Sequence, residues 1–260
     1  AAGLVYVVFD GYTAVTRNDA AGNQLAFAFR VTPELLEADP ENRLLARGVR
    51  HRLPSWMIRD QALALSGLFV EKVGGPPVRP YQPKGIWADA SFGKIRYSQD
   101  HGEKLYRRSL YTFWRRIVKP TMFFDTATRQ TCTVRAQRTN TPLHALITLN
   151  ETTFVESARN FAERLLREAS EDGTKLNDET RLRLAFRLAT SRRATDGEFE
   201  ILKRRFHLLV EEFGKAPEEA KKLLSVGESK RGESVDVAKH AGLTAICSLI
   251  LNLDEVLSKE

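Results

Sequence analysis

TPLHALITLNETTFVESARNFAERLLREA, residues 141–169, decides how this chain folds. Phe154, Val155, Ala158, Phe161, Ala162, Leu165 and Leu166 recur at three- and four-residue steps, the spacing that lays apolar side chains along one stripe of an α-helix. Thr141-Pro142 opens a helix, because threonine accepts from orphan amides and proline has no amide to lose. Asn150 is the expected cap of the next. The pattern continues toward the C-terminus: Asn177 precedes Leu182, Ala185, Phe186 and Ala189, and Thr195 with Glu198 forms a capping box ahead of Phe199, Leu202, Phe206, Leu209 and Phe213. A short charged helix is expected at 217–226 and a last long one from about 234 to 251.

Upstream of residue 141 the pattern changes. Residues 4–15 place β-branched and aromatic residues around Asp10-Gly11, a dipeptide suited to a tight hairpin turn, and residues 25–31 can add a third strand. Thr32-Pro33 starts a helix that Asp39-Pro40 interrupts, with 41–47 expected to resume it. A further helix is predicted over 55–73, on the spacing of Ile58, Ala62, Leu65 and Phe69 and the stop at Gly74-Gly75-Pro76-Pro77. Residues 76–103, rich in Pro, Gly and aromatics, read as an ordered loop. The stretch 104–119, KLYRRSLYTFWRRIVK, reads as a helix, with a strand as the alternative because Tyr-Thr-Phe-Trp alternates. The expected fold is mainly α, a bundle-like helical core with a long aromatic and Pro-rich loop region. Its parts are an N-terminal segment 1–30 with a β-hairpin and a helical domain 31–260. The latter divides into helical 31–75, loop-rich 76–135 and helical 136–260.

Composition narrows the function classes. The 260 residues are 42% hydrophobic and 28% charged, the balance of a folded soluble domain. Forty Lys and Arg against 33 Asp and Glu leave +7, an excess that draws anions, although both signs are interspersed along the helices. Cys132 and Cys247 are the only cysteines, so a CxxC zinc, redox or haem-attachment site is excluded; they either pair once or lie as two separate thiols. The longest uncharged run, 241–253, is too short to span a bilayer and reads as a buried helix. His51, His207 and His240 form no H-x-x-x-H or H-E-x-x-H pattern, and phosphate-binding glycine loops and a serine nucleophile elbow are missing. No cofactor is expected in this chain.

Two short stretches have the chemistry of a ligand site. Arg107, Arg108, Arg115 and Arg116 flank Tyr111, Phe113 and Trp114, a mix that can hold phosphate, sulfate or carboxylate while stacking a ring; packed aromatics with snorkelling arginines give the same pattern. CTVRAQRTNTP, residues 132–142, gathers Arg135, Arg138, Asn140 and Thr141 ahead of a helix N-terminus, where free amides favour an anion; a capped, hydrogen-bonded turn is the other reading. Asp100, His101 and Glu103 can supply an acid–base pair or two metal ligands, and His144 faces either that turn or the core.

DPENRLLARG (39–48), MIRDQALALSGL (57–68), GGPPVRPYQPKGIW (74–87), HGEKLYRRSLYTFWRR (101–116), CTVRAQRTNTPLHALITLNETTFVESAR (132–159) and LNLDE (251–255) resemble a planctomycete-specific family. It is the C-terminal, PSD-type domain of unknown function found in large exported proteins that often carry a cytochrome-c-like module. The resemblance covers about residues 31–260. It implies a module of a longer polypeptide, at the periplasm or cell surface, with upstream domains as partners and any haem bound elsewhere in the parent chain. It implies no reaction. The functional expectation is a binding or scaffolding domain for a polysaccharide or other anionic ligand. An enzyme with an Arg, His and carboxylate cleft is the alternative. Nucleic-acid binding rests on charge alone.

Overall fold

The computed structural model describes residues 5–9, 12–18, 24–30, 33–44, 51–127, 131–132, 134, 140–169, 176–232 and 235–259. The fold is mainly α and is organised on two helices, α5 (Thr152–Arg167) and α9 (Val237–Leu251). The stripe of α5 buries Phe154, Ala158, Phe161, Ala162, Leu165 and Leu166. Helix α9 has no strong polar face: Ala241, Leu243, Ile246, Cys247, Ile250 and Leu251 are all buried, as befits a central helix covered on several sides. Around them pack α2 (Ser55–Ser66) on α5, α6 (Asp178–Thr190) on α5 and α9, and α7 (Asp196–Lys215) and α8 (Pro217–Leu224) on α9. The crossing of α7 and α9 is close because position 242 is glycine. A Cβ there would lie 2.8 Å from Val210 Cγ2 and 3.2 Å from its backbone nitrogen.

Local signals in the sequence account for most helix starts. Asn177 accepts from Thr180 N–H, Asp236 from Lys239 N–H, and Thr195 with Glu198 completes the capping box. Helix α4 (Pro142–Asn150) begins at Pro142, and α10 (Asp254–Leu257) closes the helical set. The cap of α5 is Glu151 rather than Asn150: its carboxylate accepts from Thr153 N–H at 2.9 Å, while Asn150 ends α4. Helix α9 starts three residues later than the pattern suggested, at the first position after Asp236.

Before α4 the structure departs further from expectation. Strands β1 (Val5–Phe9), β2 (Tyr12–Asn18) and β3 (Gln24–Arg30) form an antiparallel sheet with Phe9 opposite Tyr12. The expected turn residues 10 and 11 lie outside the described residues. Helix α1 (Pro33–Ala38) stops at Asp39, whose carboxylate takes the amides of Arg43 and Leu44 in a turn, so 41–44 are not helical; 45–47 lie outside the described residues. Strand β4 (His51–Arg52) pairs with β5 (Ser258–Lys259). Helix α2 ends at Ser66, not residue 73, because Gly67 takes the left-handed conformation (φ 78°) and turns the chain back so that Leu68 and Phe69 N–H reach Leu63 O. The region 76–103 is an ordered loop containing one short helix, α3 (Ile86–Ala90). The expected helix over 104–119 does not form: 102–106 and 109–111 are short 3-10 turns and 112–120 is irregular.

Candidate functional site

The reason that 104–119 is not helical is Arg59. Its side chain, on α2, is wholly buried and both terminal nitrogens donate into this stretch, while Nε has no partner among the described residues. Nη2 donates to Leu105 O at 2.7 Å, and Nη1 to Arg107 O at 2.9 Å and Ser109 Oγ at 3.0 Å. Asp60 receives Ser109 N–H and its hydroxyl at 2.8 and 2.7 Å. These bonds, with those of Asp60, fix the stretch in an irregular path along α2, so a tertiary partner outweighs local propensity. The strap then runs beside residues 70–78 through isolated parallel bridges, Val70 with Arg107 and Val78 with Thr112. Burial pulls the Arg59 guanidinium below its ordinary value, opposed by Asp60 and Glu151.

Between α2 and the strap lies a groove of about 790 Å³. Trp56, Met57, Asp60 and Gln61 form one wall; Arg108, Ser109 and Leu110 form the other, with Trp114, Phe69 and Phe123 lining it further along. Trp56, Met57 and Leu110 remain 41%, 48% and 77% exposed. Large apolar side chains left in water beside a few fixed polar groups are the composition of a ligand groove rather than of a finished core.

The sequence-selected arginines divide between structure and groove. Arg107 is buried and tied to the 72–76 turn: Nη1 donates to Pro76 O at 3.1 Å and Nη2 to Lys72 O and Gly74 O. Its guanidinium lies 4.0 Å over the Tyr111 ring, and the Tyr111 hydroxyl accepts Gly74 N–H. Arg108 is exposed and lines the groove together with Trp114. Arg115 is exposed at a tight backbone bridge to Val118, and Arg116 beside it is exposed. Phe113 belongs to a packed set, stacked on Trp87 (5.8 Å), which also stacks on Tyr97 (5.3 Å). Arg135 and Arg138 lie outside the described residues; Asn140 is exposed, and Thr141 precedes α4 without a side-chain capping bond.

The weak catalytic candidates have separate partners. Asp100 accepts Arg79 N–H at 2.8 Å and Lys104 Nζ at 3.4 Å. His101 is exposed and meets Glu228 at 2.7 Å; Gly102 N–H and His101 hold the Glu228 carboxyl below its usual range. Glu103 is exposed. His144 is buried on α4 and stacks on Phe124 at 4.4 Å. Cys132 is an exposed free thiol and Cys247 a buried free one, whose pKa burial raises. Among the described residues no group of three or more His, Cys, Asp and Glu gathers to hold a metal, and no helix is long and apolar enough to cross a membrane.

Sequence reasoning missed a buried ionic set on α5. Glu156, wholly buried, accepts Tyr106 O–H, Glu228 N–H and Ser229 N–H at 2.7 to 2.8 Å, and Arg159 stands 3.8 Å away. Glu163 accepts Gly232 N–H and pairs with Arg167. These carboxylates fasten the 227–232 loop over the helix. Their signal was present as the charges within the stripe segment ESARNFAER, which the apolar count passes over. A second cavity, of about 820 Å³, is lined by Leu143, Leu146, Ile147 and Asn150 of α4 together with Gln82, Gln99 and Glu151. Burial pushes the Glu151 carboxyl up to about 7.

These features define a mainly α-helical domain with an irregular, side-chain-stitched wall around a surface groove. The family model described as PSD1, a protein of unknown function (DUF1553), matches residues 26–206, and the chain belongs to that family. No curated protein and no solved structure matches it.

Proposed function

We propose that this domain is the binding module of a larger exported protein and that its groove takes an anionic polysaccharide. The observation that carries this reading is the pairing of exposed Trp56 and half-buried Trp114 with exposed Arg108 along one groove of about 790 Å³. Indole faces stack on the C–H faces of sugar rings, and a guanidinium fork matches a uronate carboxylate or a sulfate ester. Asp60 and Gln61 on one wall and Ser109 on the other add polar groups to the same groove. Export and the company of further domains are supported by the six quoted strings that resemble PSD-type proteins. Nucleic acid is disfavoured by the interspersed charges.

The test is retention on immobilised polygalacturonate, alginate and a neutral glucan. Wild type binds the acidic polymers; Trp56→Ala and Arg108→Ala each weaken binding by about tenfold, the scale of a central interface side chain. Equal retention of wild type and both variants, or no retention on any polymer, refutes the reading. A second reading is acid–base chemistry in the second cavity, which Glu151 lines beside Gln82, Gln99 and Asn150 and where burial raises its carboxyl to about 7. Hydrolysis or elimination on the same polymers that Glu151→Gln abolishes is its expected signature.

A further inference from the structure

We propose that the concavity bounded by Arg159, Lys221, Ser225, Ser229 and Arg231 is a separate site for a tetrahedral oxyanion, a phosphate or sulfate group. It is formed by α5, α8, the first turn of α9 and the loop between the last two, with a volume of about 350 Å³. Two arginines, one lysine and two serines line it, and the described lining residues include no carboxylate. The only apolar members are Leu224 and Val237, the latter the first residue of the 15-residue helix α9. The start of α9 is already capped by the Asp236 carboxylate, which accepts from Lys239 N–H, so an anion here is held by the side chains.

Arg159 is the informative member. It is 1% exposed, yet only Nη2 is committed, to Ser229 O and Oγ; its Nε has no partner among the described residues. Burying a guanidinium with an unmade hydrogen bond costs free energy that a bound anion repays by neutralising the site. Glu156, 3.8 Å away, offsets part of its charge. Arg231 has no carboxylate partner among the described residues: Nη2 donates to Val235 O, and Nε lies 3.4 Å from His240 Nδ1. His240 is wholly buried, and burial lowers its pKa, so among the described residues Arg231 faces a neutral ring and a main-chain carbonyl. Lys221 is paired with Glu218 at 2.8 Å; both side chains are well exposed, so the pair is a weak one.

The proposal does not depend on the groove reading, and the experiment separates the two. Thermal unfolding is followed against sodium sulfate and sodium phosphate, each matched in ionic strength by sodium chloride. Wild type shows a saturable rise in Tm with the tetrahedral anions that chloride does not give. Lys221→Gln and Arg231→Gln weaken that response about tenfold, the loss expected for one charge-assisted contact. Lys230→Gln, outside the concavity, and Trp56→Ala leave it intact. A rise that never saturates, or one that persists in both Lys221→Gln and Arg231→Gln, is a general salt effect and overturns the site. A sulfated disaccharide binding more tightly than inorganic phosphate identifies a glycan sulfate ester as the source. The reverse order identifies free phosphate.

Discussion

Replacing Arg59 by methionine removes one guanidinium and, with it, the attachment of the 105–113 strap to α2. Three hydrogen bonds are lost, at 2.7 to 3.0 Å, to Leu105 O, Arg107 O and Ser109 Oγ. Bonds to a charged donor contribute about 1.5–3 kcal/mol each, so the gross loss is about 4–9 kcal/mol. Methionine keeps much of the packing and relieves the desolvation of a charge that is 0% exposed, which returns part of it. The net expectation is about 3–5 kcal/mol, in line with breaking other buried charged networks and a large share of a typical domain's stability. Arg59→Lys, with one ammonium in place of a fork, falls between wild type and Arg59→Met. Urea unfolding gives the global term, and amide exchange at Val70, Val78 and Phe113, whose N–H groups bond across the strap to Tyr106 O, Tyr111 O and Val78 O, gives the local one. An Arg59→Met protein within about 1 kcal/mol of wild type, with unchanged exchange at those amides, refutes the assignment of the strap to this side chain.

Gly227 has φ +90°, and an added Cβ would sit 2.2 Å from the buried Glu156 carboxyl carbon, so Gly227→Ala costs about 3 kcal/mol in a denaturant titration. Thr195→Ala breaks the capping box of α7 and lowers stability by about 1 kcal/mol by the same measurement. Glu198, hydrogen-bonded to Arg192, has a carboxyl held down to about 2 from 4.5. Its contribution is complete above about pH 5 and is lost as pH falls toward 2, so Glu198→Gln flattens the stability profile through that window. A thiol reagent labels Cys132 alone in the native protein and both cysteines in denaturant, because Cys247 is 0% exposed; two labels without denaturant would contradict the core described above.

What could be seen in the sequence follows from how local each determinant is. From residue 141 onward, apolar spacing and capping residues sit within one helix, and α5, α6, α7 and α9 appear where those signals lie. The 104–119 stretch was misread because its decisive partner is 46 to 50 residues away: the string RRSLYTFWRR contains every local reason to be regular and none of Arg59. The groove was half visible. Arg108 and Trp114 stood out as basic and aromatic neighbours, whereas Trp56 and Met57 were hidden within a helix pattern whose core stripe, Ile58 and Ala62, faces away from them. The Glu156 and Arg159 pair was overlooked because counting apolar positions discards charges placed between them.

The two-residue ladder joining His51 and Arg52 to Lys259 and Ser258, continued by Leu53 N–H to Leu257 O, ties position 51 to position 259. Because the strands are antiparallel, tension drawn outward at positions 51 and 259 separates the rungs one after another, beginning at the His51–Lys259 end, instead of shearing them together. The first event under load is therefore a small, low-force peeling that lengthens the tether while α5 and α9 stay packed. A protein held between two surfaces at these points would yield there and re-close on release before its interior felt the pull.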